Sequence, residues 1–91
     1  MRFNWDPIKA AANIKNHEDV SFEEATTVFG DPLARIFDDE EHSYEEKRNA
    51  IFGHSNLNRL LMVSYTERHD DMVRIISARL ATPKEARRYA N

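Results

Sequence analysis

The pattern of apolar and polar positions along the chain begins with a short strand and a helix. Residues 2–5 form a brief apolar and aromatic run, which favours an edge strand. Asp6 and Pro7 then predict the start of a helix over residues 7–16. Aspartate accepts hydrogen bonds from the free N–H groups at a helix start, and proline fits the first helical position.

A second helix and a β-like run come next. Ser21 and Glu24 have the spacing of a capping box, in which each side chain binds the backbone N–H group of the other residue. Behind this signal the apolar residues recur at helical spacing and predict one buried face: Phe22, Ala25, Val28 and Phe29. Residues 30–32 end the helix, and residues 33–37 predict a short strand.

The second half of the chain changes to a β pattern. Strands are predicted over residues 47–54, 59–67 and 72–78, with turns at 55–58 and 68–71. Residues 60–63 are apolar on both faces, which predicts a central strand covered on both sides. Ahead of these strands, the strongly acidic residues 38–46 predict an exposed loop.

The last predicted element is a helix over residues 83–89, because Thr82 and Glu85 form another capping box. The element order is therefore β-α-α-β-β-β-β-α. This order is typical of an α+β domain with a mostly antiparallel, four- to five-stranded sheet, two N-terminal helices and one C-terminal helix. The 91 residues are expected to form a single domain, residues 1–91, with one modest core.

Charge is distributed unevenly along this frame. Residues 1–58 hold six Lys or Arg against twelve Asp or Glu, whereas residues 59–91 hold seven against four. The net charge of −3 therefore hides a basic C-terminal third, and local placement of charge decides the local field. The chain has no cysteine, which excludes disulfides and thiolate metal sites. No apolar run approaches the ~18 residues of a membrane span, so we expect a cytoplasmic protein.

The first helix carries a polar stripe made of Lys9, Asn13 and His17, spaced four residues apart. At ~100° per residue the three positions share one sector of the helix surface. One interpretation is an ordinary solvated face. The other is a functional row in which a cation and an amide hold a phosphate and an imidazole moves a proton.

The predicted strand pair near the C-terminus carries Glu67, Arg68, Arg74 and Arg79. Arginine suits phosphate because its planar fork donates two parallel hydrogen bonds and stays charged. Strict alternation nevertheless places Arg74 and Arg79 on opposite faces of their strand. They share a face only if Arg79 lies beyond the strand end or a β-bulge resets the alternation. The alternative is edge salt bridging with nearby carboxylates, those of Glu67, Asp70 and Asp71.

The final helix has a basic face made of Lys84, Arg87 and Arg88, with Tyr89 turned toward the core or a site. This face is either simply solvated or a surface that follows an RNA backbone, with Tyr89 available for stacking or proton transfer. We predict no metal site, because the remaining histidines lack ligand spacing: His42, His54 and His69. We also predict no cofactor, since no glycine-rich phosphate loop is present.

Several ordered motifs extend over residues 3–89. They are F-x-W-D-x-x-K-x-x-x-N, then V-S-F-E-E-A, V-F-x-D-P and R-I-I-S-A-R-x-A-T-x-x-E-x-x-x-Y. Together they resemble the BrnT-type ribonuclease toxins of bacterial type II toxin–antitoxin systems. The resemblance implies a RelE-like fold and metal-independent RNA cleavage that arrests translation. It also implies a BrnA-like antitoxin that supplies operator DNA binding, in a complex of two toxins and two antitoxins.

The resemblance also assigns roles to residues of this chain. It matches eight residues to family positions: Lys9, His17, Glu67, Arg68, Arg74, Ser77, Arg79 and Tyr89. On this basis we predict catalytic roles for His17, Glu67, Arg68, Arg74 and Arg79, and substrate binding by Lys9, Ser77 and Tyr89. The basic face of the last helix adds three predicted substrate-binding residues, Lys84, Arg87 and Arg88. The chain departs from the family pattern in the segment from His17 to Val20, which lacks the usual glycine, at His69 and at Leu80. The alternative from a different class is a non-catalytic module whose basic half binds an acidic partner segment or operator DNA.

Overall fold

The computed structural model describes residues 1–42 and 46–90, and its elements follow the predicted order. They are β1 (Arg2–Asn4), α1 (Pro7–Asn16), α2 (Phe22–Thr27), β2 (Arg35–Asp38), β3 (Asn49–His54), β4 (Leu60–Arg68), β5 (Met72–Leu80) and α3 (Pro83–Ala90). Short 3₁₀ turns cover Val28–Gly30 and Glu40–His42. The α+β class and the three helices are confirmed. The exposed loop predicted over residues 38–46 lies partly outside the described residues.

The strands form one mixed sheet in the order β1-β5-β4-β3-β2. Within the described residues, β1 pairs with β5 in parallel, and the other three pairings are antiparallel. The prediction of an edge strand at the N-terminus and of a central strand at residues 60–63 is confirmed. That central strand is fully covered on only one side, because Leu61 and Val63 are buried while Leu60 and Met62 are half-buried.

The core lies between the sheet and the two N-terminal helices. Of the described residues, eleven apolar ones are buried there: Val20, Phe22, Ala25, Val28, Ile51, Leu61, Val63, Tyr65, Val73, Ile75 and Ala78. Trp5 contacts Phe22 edge-on, with ring centroids 5.9 Å apart, and Phe3 contacts Phe29 at 5.1 Å. The aromatic residues at the N-terminus therefore serve the core, and burial of this apolar surface is the main force that holds the helices on the sheet.

Asn13 attaches α1 to the edge of the sheet. Strand β1 pairs with β5 only as far as Arg74, which leaves the rest of that edge without a strand partner. The Asn13 amide donates to the carbonyl of Ala78 at 2.8 Å and accepts from its N–H group at 3.1 Å. It also donates to the carbonyl of Val20 at 2.9 Å. A single buried side chain thus satisfies backbone groups that would otherwise lack partners.

The capping box predicted at the start of α2 is only half formed. Ser21 Oγ accepts from the N–H group of Glu24 at 2.9 Å, as expected. The buried Glu24 carboxylate instead accepts from Ser55 Oγ at 2.6 Å and from Arg59 Nε at 3.0 Å, with a second contact to Arg59 Nη2. The hydrogen bond from Arg59 is the main reason that the pKa of Glu24 lies below its usual value. This ion pair joins α2 to the β3–β4 turn.

The box at the start of α3 is complete. Glu85 N–H donates to Thr82 Oγ1 at 3.2 Å, and Thr82 N–H donates to Glu85 Oε1 at 2.9 Å. Among the described residues, no helix is long and apolar enough to cross a membrane.

Candidate anion-binding site

A β-bulge in β5 decides which side chains share a face of the sheet. Ser77 lies opposite Ser64, but Ile75 lies opposite the next residue of β4, Tyr65. Ile76 is therefore an extra residue in β5 that has no pairing partner on β4. Such a residue resets the alternation of side chains beyond it.

The bulge brings the arginines of β5 onto one face. Arg74 lies opposite Thr66, and Arg79 lies opposite Met62. Thr66 and Met62 are four residues apart on a strand without an extra residue, so both arginines point to the same side. Strict alternation predicted opposite faces, and the bulge that was named as the alternative is what the structure contains. Arg68, Arg74, Ser77 and Arg79 together form what we call the arginine face.

Arg68 and Arg74 are diagonal neighbours across β4 and β5, a relationship that separates Cα atoms by ~7–8 Å. Arg68 donates to Thr66 Oγ1 at 3.2 Å and forms an ion pair with Glu46 at 2.7 Å. Arg74 donates to Asn4 Oδ1 at 3.4 Å and makes no ion pair within residues 1–42 and 46–90. The two side chains carry like charges from neighbouring positions of one face, so an anion bound between them would be stabilised by both.

Arg79 is engaged differently, because it holds α3 against the sheet. Its guanidinium donates to both carboxylate oxygens of Glu85, at 2.7 and 3.0 Å. These hydrogen bonds are the main cause that lowers the pKa of Glu85 to about 2, and they raise the pKa of Arg79. The salt bridges predicted as an alternative have other partners, since Asp71 pairs with the N-terminal amine of Met1.

Helix α3 covers part of the arginine face and forms a groove with β2 and β3. The groove has a volume of about 290 Å³ and is lined by aromatic and charged side chains: Arg35, Phe37, Asp38, Phe52, Glu85, Arg88 and Tyr89. The guanidinium carbon of Arg88 lies 5.7 Å from the centre of the Phe37 ring. Lys84 and Arg87 are exposed on the same helix.

Tyr89 is fixed at the groove by Asp31 and His54. Its hydroxyl donates to Asp31 Oδ2 at 2.7 Å and lies 3.4 Å from His54 Nδ1. The Asp31 carboxylate also accepts from the N–H groups of His54 and Leu33, and the first of these is the main cause of its lowered pKa. Burial, followed by the nearby Asp31 carboxylate, raises the pKa of Tyr89, so the hydroxyl keeps its proton at neutral pH.

The other predicted site residues do not join the arginine face by any contact. Glu67 is exposed and lies opposite Val73, a core residue, so it points to the other side of the sheet from Arg68. Asn13 is buried in the attachment of α1, so the stripe with Lys9 and His17 is not a single solvated row. In the part of the chain that is described, the side chains of Lys9 and His17 make no hydrogen bond or ion pair.

His17 ends α1 at an unusual connection. The two residues after it, Glu18 and Asp19, have φ values of 56° and 59°. This left-handed conformation favours glycine, because glycine has no Cβ atom to clash with the backbone. Glu18 and Asp19 therefore adopt this conformation at some conformational cost, and His17 remains half-buried at the helix end.

Sequence reasoning missed the groove residues of the β2–β3 pair and the partners of Tyr89. Arg35 and Phe37 lie on one face of the run for which the sequence predicts only a short strand, and their alternation is the signal that could have identified them. The positions of Asp31 and His54 next to Tyr89 depend on how α3 packs, for which no local pattern exists. Over residues 1–42 and 46–90, no group of three or more His, Asp or Glu is arranged to hold a metal ion.

The fold and the site define a small α+β protein with a cationic sheet face and an aromatic groove beside it. The family model for the ribonuclease toxin BrnT of type II toxin–antitoxin systems matches residues 5–85, and the chain belongs to this family. The match ends before Arg87, Arg88 and Tyr89. The predicted family is thus confirmed.

A solved structure has the same fold. The crystal structure of the Brucella abortus ribonuclease toxin BrnT matches with a TM-score of 0.68 at 21% sequence identity, covering 90% of this chain and 97% of that one. A search of curated proteins gave no match.

Proposed function

We propose that this protein is a metal-independent endoribonuclease toxin that cleaves RNA and thereby inhibits translation. A BrnA-like antitoxin would neutralise it and supply operator DNA binding, in a complex of two toxins and two antitoxins. Membership of the BrnT family supports ribonuclease activity, an RNA substrate and an antitoxin partner.

The observation that carries the proposal is the diagonal pair Arg68 and Arg74, with Ser77 and Arg79 on the same face. Cleavage without metal uses the 2′-hydroxyl of RNA as the nucleophile, which attacks the adjacent phosphorus while the bond to the 5′-oxygen breaks. Negative charge grows on the phosphate oxygens during this step. Fixed guanidinium groups stabilise that charge because they are already oriented and need no rearrangement.

The three arginines have different roles in this proposal, because their hydrogen-bond and ion-pair partners differ. Arg74 makes no ion pair in the described residues, and Arg68 pairs with an exposed glutamate that a phosphate can replace. We assign the direct phosphate contacts to these two. Arg79 is bound on both nitrogens by Glu85, so its main role is to position α3 and the cations on that helix. For proton transfer we retain His17, because an imidazole suits that task at neutral pH.

The test is incubation of the purified protein with single-stranded RNA in excess EDTA. We expect cleavage that leaves 5′-hydroxyl ends, and no cleavage of a substrate whose scissile nucleotide is 2′-deoxy. Expression without the neighbouring antitoxin gene should arrest growth, and co-expression should restore it. Intact RNA together with tight binding of the antitoxin would instead support the non-catalytic module. The observation in favour of that module is that Arg68 and Arg79 already form ion pairs with Glu46 and Glu85, so carboxylates occupy them in place of a phosphate.

A further inference from the structure

The groove between α3 and the β2–β3 pair has the composition of a site for a single-stranded nucleic acid. We propose that it binds one unpaired nucleotide of the RNA substrate, with the base on Phe37 and the phosphate near Arg35 and Arg88. This inference rests on the proposed ribonuclease function and adds a subsite beside the arginine face.

The aromatic rings supply the platform. Phe37 is 39% exposed although it is a large apolar side chain. Phe52 meets it edge-on, with ring centroids 5.6 Å apart and an interplanar angle of 76°, which leaves a face of Phe37 free of Phe52. The guanidinium carbon of Arg88 lies 5.7 Å from the centre of the Phe37 ring, so a base that binds there stacks against this guanidinium or takes its place on the ring. Proteins that bind single strands stack bases on exposed rings and on guanidinium planes in this way.

The charged side chains that line the groove favour a negatively charged ligand. Arg35 and Arg88 make no ion pair in the described part of the chain. Each of the two acids that line the groove has a cation of its own, since Glu85 pairs with Arg79 and Asp38 lies 3.4 Å from the Lys47 amine. The groove therefore presents two unpaired guanidinium groups beside an aromatic surface.

The groove is continuous with the arginine face. Arg79, Met62, Phe52 and Arg35 lie side by side on neighbouring strands, in register across the sheet. With strands ~4.8 Å apart, this row is ~14 Å long. A strand of RNA bound at Arg68 and Arg74 would reach the groove by passing Arg79.

The size of the groove limits what can occupy it. Its volume of about 290 Å³ lies at the lower end of small-ligand sites, which begin at ~300 Å³, so it fits one nucleoside. Bases inside a duplex are stacked and paired and cannot enter such a groove. Tyr89 forms a fixed wall, because its hydroxyl is held by Asp31 at 2.7 Å.

The experiment measures binding of a fluorescent single-stranded RNA whose 2′-hydroxyls are methylated, so that it cannot be cleaved. We expect Phe37→Ala to weaken its affinity by about fivefold to 100-fold, the effect of losing one base–ring stack. Phe37→Leu should weaken it similarly while keeping apolar packing, and Phe37→Trp should retain affinity. The control is Ile36→Ala, whose exposed side chain lies on the other face of the same strand.

The two cations are tested through salt dependence. Arg35→Gln and Arg88→Gln should each reduce the slope of log affinity against log salt concentration by ~0.7, the value for one lost phosphate contact on a single strand. An unchanged slope in both variants would show that Arg35 and Arg88 contact no phosphate of the RNA.

The outcomes separate this inference from the function on which it rests. Wild-type affinity in both Phe37→Ala and Phe37→Leu, with cleavage intact, overturns the subsite alone. If those variants instead lose antitoxin binding and keep RNA binding, the groove belongs to the protein partner and the subsite is also overturned. RNA binding that depends on Phe37 in a protein that leaves RNA intact overturns the ribonuclease function and supports the subsite.

Discussion

The Arg79 guanidinium and the Glu85 carboxylate form two parallel hydrogen bonds, at 2.7 and 3.0 Å, between the end of β5 and the first turn of α3. The pKa of Glu85 in the folded protein is about 2, below the 4.5 of the free side chain. The unfolded chain therefore binds the proton first. The pair stabilises the fold above pH ~4.5, and this contribution is lost as the pH falls toward 2.

We expect the free energy of unfolding to fall more steeply for the wild type than for Glu85→Gln between pH 5 and 2. The difference should be about 1–2 kcal/mol, allowing for solvent screening of a partly exposed pair. Urea titrations at several pH values measure it. Glu23→Gln is the matched control, because Glu23 is exposed on α2 and its carboxylate makes no ion pair in the described residues. Parallel pH curves for wild type and Glu85→Gln would contradict the ion pair's contribution.

Arg74 and Arg79 should respond differently to substitution. Arg74→Gln is expected to lower the rate of RNA cleavage by ~10²–10³ with little change in melting temperature, because it removes a charge that faces the phosphate and no ion pair. Arg79→Ala is expected to lower the rate at least ~tenfold and also the melting temperature, because α3 loses its attachment.

Cleavage rates and thermal melts of the same preparations distinguish the two roles. Lys15→Gln serves as the control for loss of one positive charge, since Lys15 is exposed at the end of α1. Normal cleavage by folded Arg74→Gln would exclude Arg74 from the site.

We expect Asn13 to contribute strongly to the stability of the fold, because its buried amide satisfies backbone groups at the sheet edge. Asn13→Ala would leave the N–H and carbonyl groups of Ala78 buried without partners, at a cost of ~2–3 kcal/mol. Asn16→Ala, three residues further along and exposed, should change stability by less than ~0.5 kcal/mol. Urea unfolding of both variants measures the difference. Equal stabilities would mean that water replaces the amide at the sheet edge.

Gly53 and Gly30 offer a matched pair for the packing of β3. A Cβ atom at Gly53 would lie 3.0 Å from Ala34 Cβ, from Asp31 Oδ2 and from Val28 Cγ1, whereas one at Gly30 would meet nothing within 4 Å. We expect Gly53→Ala to destabilise the protein by ~1–3 kcal/mol and Gly30→Ala to leave it nearly unchanged. Thermal unfolding of the two variants measures the difference in stability. An unchanged stability of Gly53→Ala would show that residues 28–34 can shift to make room for the methyl group.

Local signals in the sequence predicted the helix starts, and long-range contacts account for what those signals missed. Asp6, Ser21 and Thr82 act on N–H groups two or three residues away, so their effect is visible in the sequence itself. Glu24 was expected to bind back to Ser21, but Arg59 is 35 residues away and offers charge-assisted hydrogen bonds. These are roughly twice as strong as neutral ones, so the distant partner takes the carboxylate.

The candidate site shows the same limit. The arginines are evident in the sequence, but R-I-I-S-A-R contains no glycine or other mark of an extra residue, and the pairing with β4 alone reveals it. The aromatic groove depends on the packing of α3 over Phe37 and Phe52, which are 46 to 53 positions and 31 to 38 positions before that helix.

The extra residue at Ile76 makes the number of residues between the arginines as important as the arginines themselves. Arg74 and Arg79 are separated by an odd number of steps, whereas an unbroken strand requires an even number for two side chains to face the same way. Loss of the bulge without any change in chain length would leave every basic residue in the protein and still turn one end of the cluster toward the core. Deletion of Ile76 would instead leave four steps between the arginines and keep both on one face of a regular strand. The site in this segment therefore depends on how the spacing of the arginines matches the pairing of β5 with β4, and not on the arginines alone.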